Sequence, residues 1–229
     1  MANPGIELRW GVGFDSPDER ALVQPLLQTA LEITRDGLAE LQLDVTDRKR
    51  VVVHQLKVAD RVADASTSKT IGLYLRPTMM EQTELNSFWI SNLMLHEIVH
   101  CMRMERYAIT SSSEIAATEG LAYVADRQFK NSLYRSYGRK EYGIGLVGRI
   151  AMIPPVILRQ YRQGFLRATR PHQEICEEVN QEWILDTVPY YFVGKGVMVG
   201  IDAVSRHVAA GRQIADLIHL PTSEVLGTN

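Results

Sequence analysis

The sequence predicts an α+β protein, with a small sheet near the N-terminus and a mostly helical remainder. Three early segments combine apolar and β-branched residues over strand-like lengths: IELRWGVGF (6–14), RVVVHQLKV (50–58) and KTIGLYL (69–75). From residue 86 onward, apolar residues recur at helical spacing instead. We therefore interpret residues 1–229 as one domain, in which an N-terminal α/β part over roughly residues 1–85 precedes a helical part over residues 86–229.

The composition is that of an ordinary globular domain, with 45% hydrophobic and 23% charged residues. A net charge of -2 gives no electrostatic reason to expect nucleic acid as a partner. The longest apolar run covers residues 151–158 and contains two prolines, whereas a membrane-spanning helix needs about 20 apolar residues. Because the N-terminus has no signal-peptide pattern and there are only two cysteines, we expect a soluble, cytoplasmic protein without a membrane span.

The helix boundaries are predicted from capping residues and prolines. Ser16 is a favoured N-cap and Pro17 suits a first helical position, so a helix is expected from there to about residue 43, weakened by Gly37. A segment rich in Tyr and Gly, residues 131–145, is expected to be irregular. The later helices are predicted, in chain order, over residues 86–106, from TSSSE (110–114) to about 129, after Pro155, after Pro171, over 189–210 and over 214–219.

The helix predicted over residues 86–106 carries an unusual group of polar residues. In LMLHEIVHCMRM (93–104), His96 and His100 lie four residues apart in an otherwise apolar run. Four residues on an α-helix return to the same face one turn later, so both imidazoles can bind one zinc ion. Glu97 lies about 100° further round the helix, where it can reach water at the metal rather than the metal itself. Cys101 is likewise turned away and is expected to be a small buried residue.

A catalytic zinc site also needs a third protein ligand and one open position. Eighteen residues separate His100 from Glu119, enough for a turn and a second helix alongside the first. On that helix Glu119 shares a face with Tyr123 and Asp126, whereas Glu114 lies about 140° away from Glu119. Gly120 permits close approach of a neighbouring helix. We therefore predict Glu119, rather than Glu114, as the third zinc ligand.

HEIVH followed after eighteen residues by EGLAYVAD (119–126) resembles the gluzincin class of zinc metallopeptidases and, within it, a bacterial family described as predicted Zn-dependent proteases. TIGLYLRP (70–77), VPYYFVGKGVMVGIDAV (188–204) and IADLIHLPTSEVL (214–226) extend the resemblance. It implies a zincin-like fold with the HExxH motif on an active-site helix, one Zn²⁺ per chain, and a peptide or protein substrate lying against the strand TIGLYL as an edge. Thermolysin-like members have an aspartate four residues after the ligand glutamate. Because Tyr123 stands there, Asp126 is the candidate for orienting a ligand histidine.

The predicted reaction is hydrolysis of peptide bonds, with zinc bound by His96, His100 and Glu119 and with Glu97 as the general base. Such sites commonly add a hydrogen-bond donor for the oxyanion. Tyr191, three residues before a glycine, fits the aromatic-then-glycine pattern of the family that the chain resembles. The alternative donors are Tyr190, Tyr123 and His207.

Two other interpretations stay open on the sequence. The chain could be a zinc-containing binding or regulatory protein that shares the fold without turnover. It could also be a helical scaffold in which the two histidines are ordinary core residues and Glu119 is solvated. All residue types that the hydrolytic reaction needs are present, which favours the peptidase.

Overall fold

The computed structural model describes residues 5–45, 47–55, 63–75, 80, 84–136 and 191–228. Within these ranges the protein is α+β, as predicted, with a small mixed sheet and a larger helical part. The helices predicted after Pro155 and Pro171 lie outside the described residues. The elements, in chain order, are β1 (Ile6–Trp10), α1 (Pro17–Glu40), β2 (Lys49–Gln55), β3 (Ala63–Thr67), β4 (Thr70–Leu75), α2 (Glu84–Met104), α3 (Ser112–Ser136), α4 (Tyr191–Ala209), α5 (Ile214–Leu217) and α6 (Thr222–Leu226).

The four strands form one sheet in the order β1-β2-β4-β3. β1, β2 and β4 are parallel, and β3 runs antiparallel to β4. β3 was not predicted, and its presence overturns the expectation that TIGLYL forms an edge. That segment is β4, which is paired on both sides, and β3 is the edge strand instead.

One face of the sheet supplies part of the core. The inward side chains of β2 and β4 are fully buried, because the period of two in a strand places alternate residues on one face; they are Val51, Val53, Ile71, Leu73 and Leu75. α2 packs against this sheet at β3 and β4, and also against α1 and α3. α2 is therefore central, which explains why most of its residues are apolar.

α1 begins as predicted, with a reciprocal capping box. The Ser16 hydroxyl accepts a hydrogen bond from the Glu19 amide at 3.1 Å, and the Glu19 carboxylate accepts one from the Ser16 amide at 3.2 Å. Gly37 has a packing role that the sequence did not indicate. A Cβ there would lie 2.1 Å from Cε2 of Phe129, so the glycine makes room for an aromatic ring from α3.

The helices that follow differ from prediction mainly in their lengths. α2 begins two residues before the predicted cap, and α3 continues to Ser136, so the irregular segment predicted from residue 131 is wrong over 131–136. The Ser111 hydroxyl accepts a hydrogen bond from the Glu114 amide at 3.1 Å, which confirms a cap in TSSSE. α4 and α5 match predicted helices, and α6 was not predicted. None of the helices in the described ranges is long and apolar enough to cross a membrane.

α3 and α4 approach each other closely through two glycines, as expected for Gly120. A Cβ on Gly120 would lie 2.3 Å from the carbonyl carbon of Gly200, and a Cβ on Gly200 would lie 1.8 Å from the carbonyl oxygen of Ala116. Both contacts are to backbone, which cannot move aside as a flexible side chain can. This crossing fixes α3, and with it the residue Glu119, against α4.

We expect Gly200→Ala to lower the thermal unfolding midpoint, because its methyl group would force the two helices apart. Overpacking a tight contact typically costs about 1–3 kcal/mol, which in a chain of this size is a fall of several degrees. Circular dichroism during heating measures the effect. Gly5→Ala is the matched control, since the nearest atom to its Cβ would be 3.8 Å away. An unchanged midpoint for Gly200→Ala would contradict the crossing.

Candidate metal centre

The residues of the HExxH motif lie together on α2, on a side that is nearly but not fully closed. His96 is 9% exposed, Glu97 8% and His100 9%, whereas Leu95, Ile98 and Val99 on the remaining faces are fully buried. The apolar residues hold α2 in the core, and the helical repeat then brings the two histidines to one face on successive turns. Their ring centroids lie 4.8 Å apart.

α3 passes this face in the opposite direction to α2. Glu114 lies next to Arg103, Glu119 next to both histidines and Asp126 next to His96. Residues later in α3 therefore lie beside residues earlier in α2. One Glu119 oxygen is 3.6 Å from Nε2 of His96, and the other is 3.7 Å from Nε2 of His100. Glu119 therefore lies on a second helix alongside the helix of the two histidines, as predicted.

The ligand atoms that His96, His100 and Glu119 offer all lie within 4.8 Å of one another, so these three residues could hold a metal ion. Donors at 2.0–2.1 Å from a tetrahedral zinc ion are about 3.4 Å apart. Each histidine has one Glu119 oxygen near that distance, Oε2 for His96 and Oε1 for His100. Two imidazoles and one carboxylate are also a donor set typical of catalytic zinc. The residues present therefore fit such an ion.

Asp126 orients the first of these histidines. Nδ1 of His96 donates a hydrogen bond to Oδ2 of Asp126 at 2.9 Å, which leaves Nε2, facing Glu119, as the ring nitrogen that could bind a cation. Burial opposes a charge on His96, but the carboxylates of Asp126, Glu119 and Glu97 together raise its pKa well above the usual value. A cation bound at Nε2 would take the place of the imidazole proton that these carboxylates stabilise.

The two glutamates of the site differ in environment. Burial raises the pKa of Glu97 above that of a free glutamate, although the two nearby histidines oppose the shift. Burial also acts on Glu119, but His100 and His96 outweigh it and lower the pKa of Glu119. The two pKa shifts therefore have opposite directions: Glu119 favours the carboxylate form, whereas Glu97 binds a proton more readily than a free glutamate does.

The candidate oxyanion donors differ in where their side chains lie: Tyr123 is next to His96, whereas His207 contacts α6. The ring of Tyr123 lies edge-on to His96, with centroids 4.9 Å apart, and burial together with nearby carboxylates raises the pKa of its phenol well above the usual value. Nε2 of His207 lies 3.0 Å and 3.1 Å from the main-chain oxygens of Glu224 and Val225, so His207 holds α6. Tyr191 begins α4, but its side chain lies outside the described part of the chain, as does Tyr190, and its role stays a prediction.

The carboxylate of Glu114, the alternative to Glu119 as third ligand, contacts Arg103 and Thr222 rather than the two histidines. Its Oε2 accepts a hydrogen bond from the Arg103 guanidinium at 3.4 Å, and its Oε1 accepts one from the Thr222 hydroxyl. The same buried guanidinium donates to the main-chain oxygens of Ile218 at 2.9 Å and Leu220 at 2.5 Å. Arg103 thereby ties the C-terminal segment to α2 and α3. Sequence reasoning missed it, although an arginine one turn after His100 in an apolar helix was a usable signal.

Cys101 is a buried residue, as predicted, rather than a metal ligand. It is fully buried, and its Sγ donates a hydrogen bond to the main-chain oxygen of Thr67 at 3.2 Å. Burial raises its pKa to about 12, so it stays a thiol. This contact fastens the edge strand β3 to α2 immediately after the second histidine.

The structure thus brings together His96, Glu97, His100 and Glu119, with Asp126 behind them. Comparison of the chain with models of protein families, with curated proteins and with solved structures gives no match.

Proposed function

We propose that this protein is a zinc-dependent peptidase on a zincin-like fold, hydrolysing peptide bonds with water. The observation that carries the proposal is the convergence of His96, His100 and Glu119 on one point, with Glu97 beside them and outside the ligand group. Three protein ligands leave a tetrahedral ion one open position, which distinguishes catalytic zinc sites from closed structural ones.

The roles of the chain's own residues follow from their places. When bound, zinc supplies Lewis-acid polarisation of the scissile carbonyl and activates water. Glu97 accepts a proton from the attacking water and delivers it to the leaving amine. Asp126 holds His96 in the tautomer that presents Nε2. Tyr123, whose raised pKa keeps its phenol protonated, adds a donor at the same face of α3.

The edge strand β3 supports a peptide as the substrate. Lys49 at the start of β2 contacts Glu105 just beyond the end of α2, so β2 and the parallel strand β4 run opposite to α2. Because β3 is antiparallel to β4, it runs in the same direction as α2, which agrees with the contact between Thr67 at its end and Cys101. The Thr67 contact with Cys101 places the end of β3 beside the residue that directly follows His100. In the described part of the chain β3 pairs only with β4. An extended peptide can add to such an edge by main-chain hydrogen bonds.

The test begins with metal analysis of the purified protein, where we expect about one zinc per chain. The zinc-loaded protein is then incubated with an unbiased peptide library, and new termini are identified by mass spectrometry. Removal of zinc with a chelator should abolish cleavage, and one equivalent of zinc should restore it. Protein that takes up no zinc would refute the proposal. Zinc at full occupancy without cleavage would favour the zinc-containing binding protein instead.

A further inference from the structure

A cavity lies beside the end of α1, where the chain turns toward β2. Its volume is about 290 Å³, close to the lower end of the range of about 300–1,000 Å³ that is usual for small-molecule sites. Its apolar lining includes four buried side chains: Leu38 on α1, Leu43 and Val45 after it, and Ile6 on β1. None of the residues that line it belongs to the candidate metal centre.

The end of α1 forms this side of the cavity through a Schellman motif. The Leu43 amide donates a hydrogen bond to the Leu38 carbonyl at 2.8 Å, and the Gln42 amide donates one to the Ala39 carbonyl at 3.1 Å. Gln42 therefore takes a φ of 55°, at a position where glycine is usual because other residues are strained there. Gln42 also lines the cavity. The glutamine thus carries a conformational cost that the motif itself does not require.

Two opposite charges line the same cavity without pairing. Arg35 on α1 and Asp44 beyond its end both line it, yet neither forms an ion pair with the other or with another residue in the part of the chain that the structure describes. Nε of Arg35 is buried without an acceptor, so the fold does not satisfy the guanidinium at that atom. Because Nε is closed to solvent, a ligand would bind through the two terminal amino groups.

The separation of these charges fits a ligand that itself carries both signs. Arg35 is half-buried and Asp44 is exposed, which indicates that the guanidinium lies deeper in the cavity and the carboxylate nearer its opening. A guanidinium binds a carboxylate through two parallel hydrogen bonds. An ammonium group near the opening would meet Asp44, and also the end of α1, where the helix dipole favours positive charge and the last turn has no basic residue.

We propose that this cavity binds a free α-amino acid with an apolar side chain. Its carboxylate pairs with Arg35, its ammonium group faces Asp44, and its side chain lies against Leu38 and Leu43. The Gln42 amide, which both donates and accepts hydrogen bonds, lies beside the two charged groups of the ligand. A volume at the lower end of the usual range suits a ligand as small as one amino acid. This inference does not rest on the proposed peptidase function.

The experiment is calorimetric titration of the full chain with L-leucine, after zinc has been removed so that the amino acid cannot bind at a metal ion. Three analogues each lack one group: N-acetyl-L-leucine lacks the positive charge, L-leucinamide lacks the negative charge, and glycine lacks the apolar side chain. We expect L-leucine to saturate one site per chain. Each analogue should bind at least about tenfold more weakly, because each loses one of the three contacts.

Substitutions in the cavity test the same contacts from the side of the protein. Arg35→Gln and Asp44→Asn should each lower the affinity for L-leucine at least about tenfold. Gln42→Gly should also weaken binding, but it should raise the unfolding midpoint by a few degrees because glycine adopts a positive φ without strain. Arg127→Gln is the matched control, since Arg127 is an exposed helix arginine that does not line the cavity, and its affinity should equal that of wild type.

Three results would overturn the proposal. The first is no saturable binding of L-leucine to wild type, and the second is an unchanged affinity in Arg35→Gln. The third is equal binding of L-leucine and N-acetyl-L-leucine, which would show that the cavity selects a carboxylate and not an amino acid. If Arg35→Gln does not fold, Asp44→Asn decides, because it changes an exposed side chain and leaves the core intact.

Discussion

Glu97→Gln is expected to reduce peptide hydrolysis by about 10²–10⁴-fold while zinc stays in place at about one ion per chain. The amide keeps the shape of the side chain but cannot accept the proton of the attacking water. Glutamine is also uncharged, so its burial is tolerated at a position where burial already raises the pKa of the carboxyl group. The measurements are kcat for a peptide from the library and the zinc content of the same sample.

Glu97→Asp is the informative companion. It retains a carboxylate but withdraws it by one methylene, so activity between that of wild type and Glu97→Gln is expected. Glu40→Gln, an exposed change at the end of α1, controls for loss of a negative charge. Wild-type turnover by Glu97→Gln would show that another group removes the proton. Loss of zinc from Glu97→Gln would instead indicate that Glu97 is a ligand.

The parts of the fold that the sequence predicted are those with local causes. The α1 cap depends on Ser16 and Glu19, three residues apart, and the long helices depend on apolar spacing within one segment. β3 was missed for the opposite reason. ADAST (63–67) has little strand propensity of its own and becomes a strand through pairing with β4. The pairing also moved the sheet edge away from TIGLYL.

The candidate site divides in the same way. His96 and His100 share a face because one helix fixes their relation, and the choice of Glu119 over Glu114 needed only the phase of α3. The partners of Glu114 were not predictable from local sequence, since Thr222 lies 108 positions away along the chain. Gly120 was correctly singled out as a close-approach residue, but its partner, Gly200 on α4, follows from tertiary packing alone.

Glu119→Gln is expected to lower zinc affinity by more than about 100-fold, and His96→Ala should do the same. Removing a residue that only orients a ligand typically costs 10–100-fold, so loss of a ligand must cost more. Asp126→Asn is therefore expected to fall between these variants and wild type, because it changes the partner of His96 Nδ1 and not a ligand. Competition with a chromophoric zinc chelator measures each affinity.

Glu114→Gln is the matched control on the same helix, five residues from Glu119. Its zinc affinity should equal that of wild type, because its carboxylate contacts Arg103 and Thr222 rather than the histidines. It should instead lose about 1–3 kcal/mol of unfolding free energy, since the fully buried guanidinium loses its charged acceptor. The two substitutions are thus expected to cause different defects, Glu119→Gln in metal binding and Glu114→Gln in stability. Retention of zinc by Glu119→Gln together with its loss from Glu114→Gln would reverse the assignment of the third ligand.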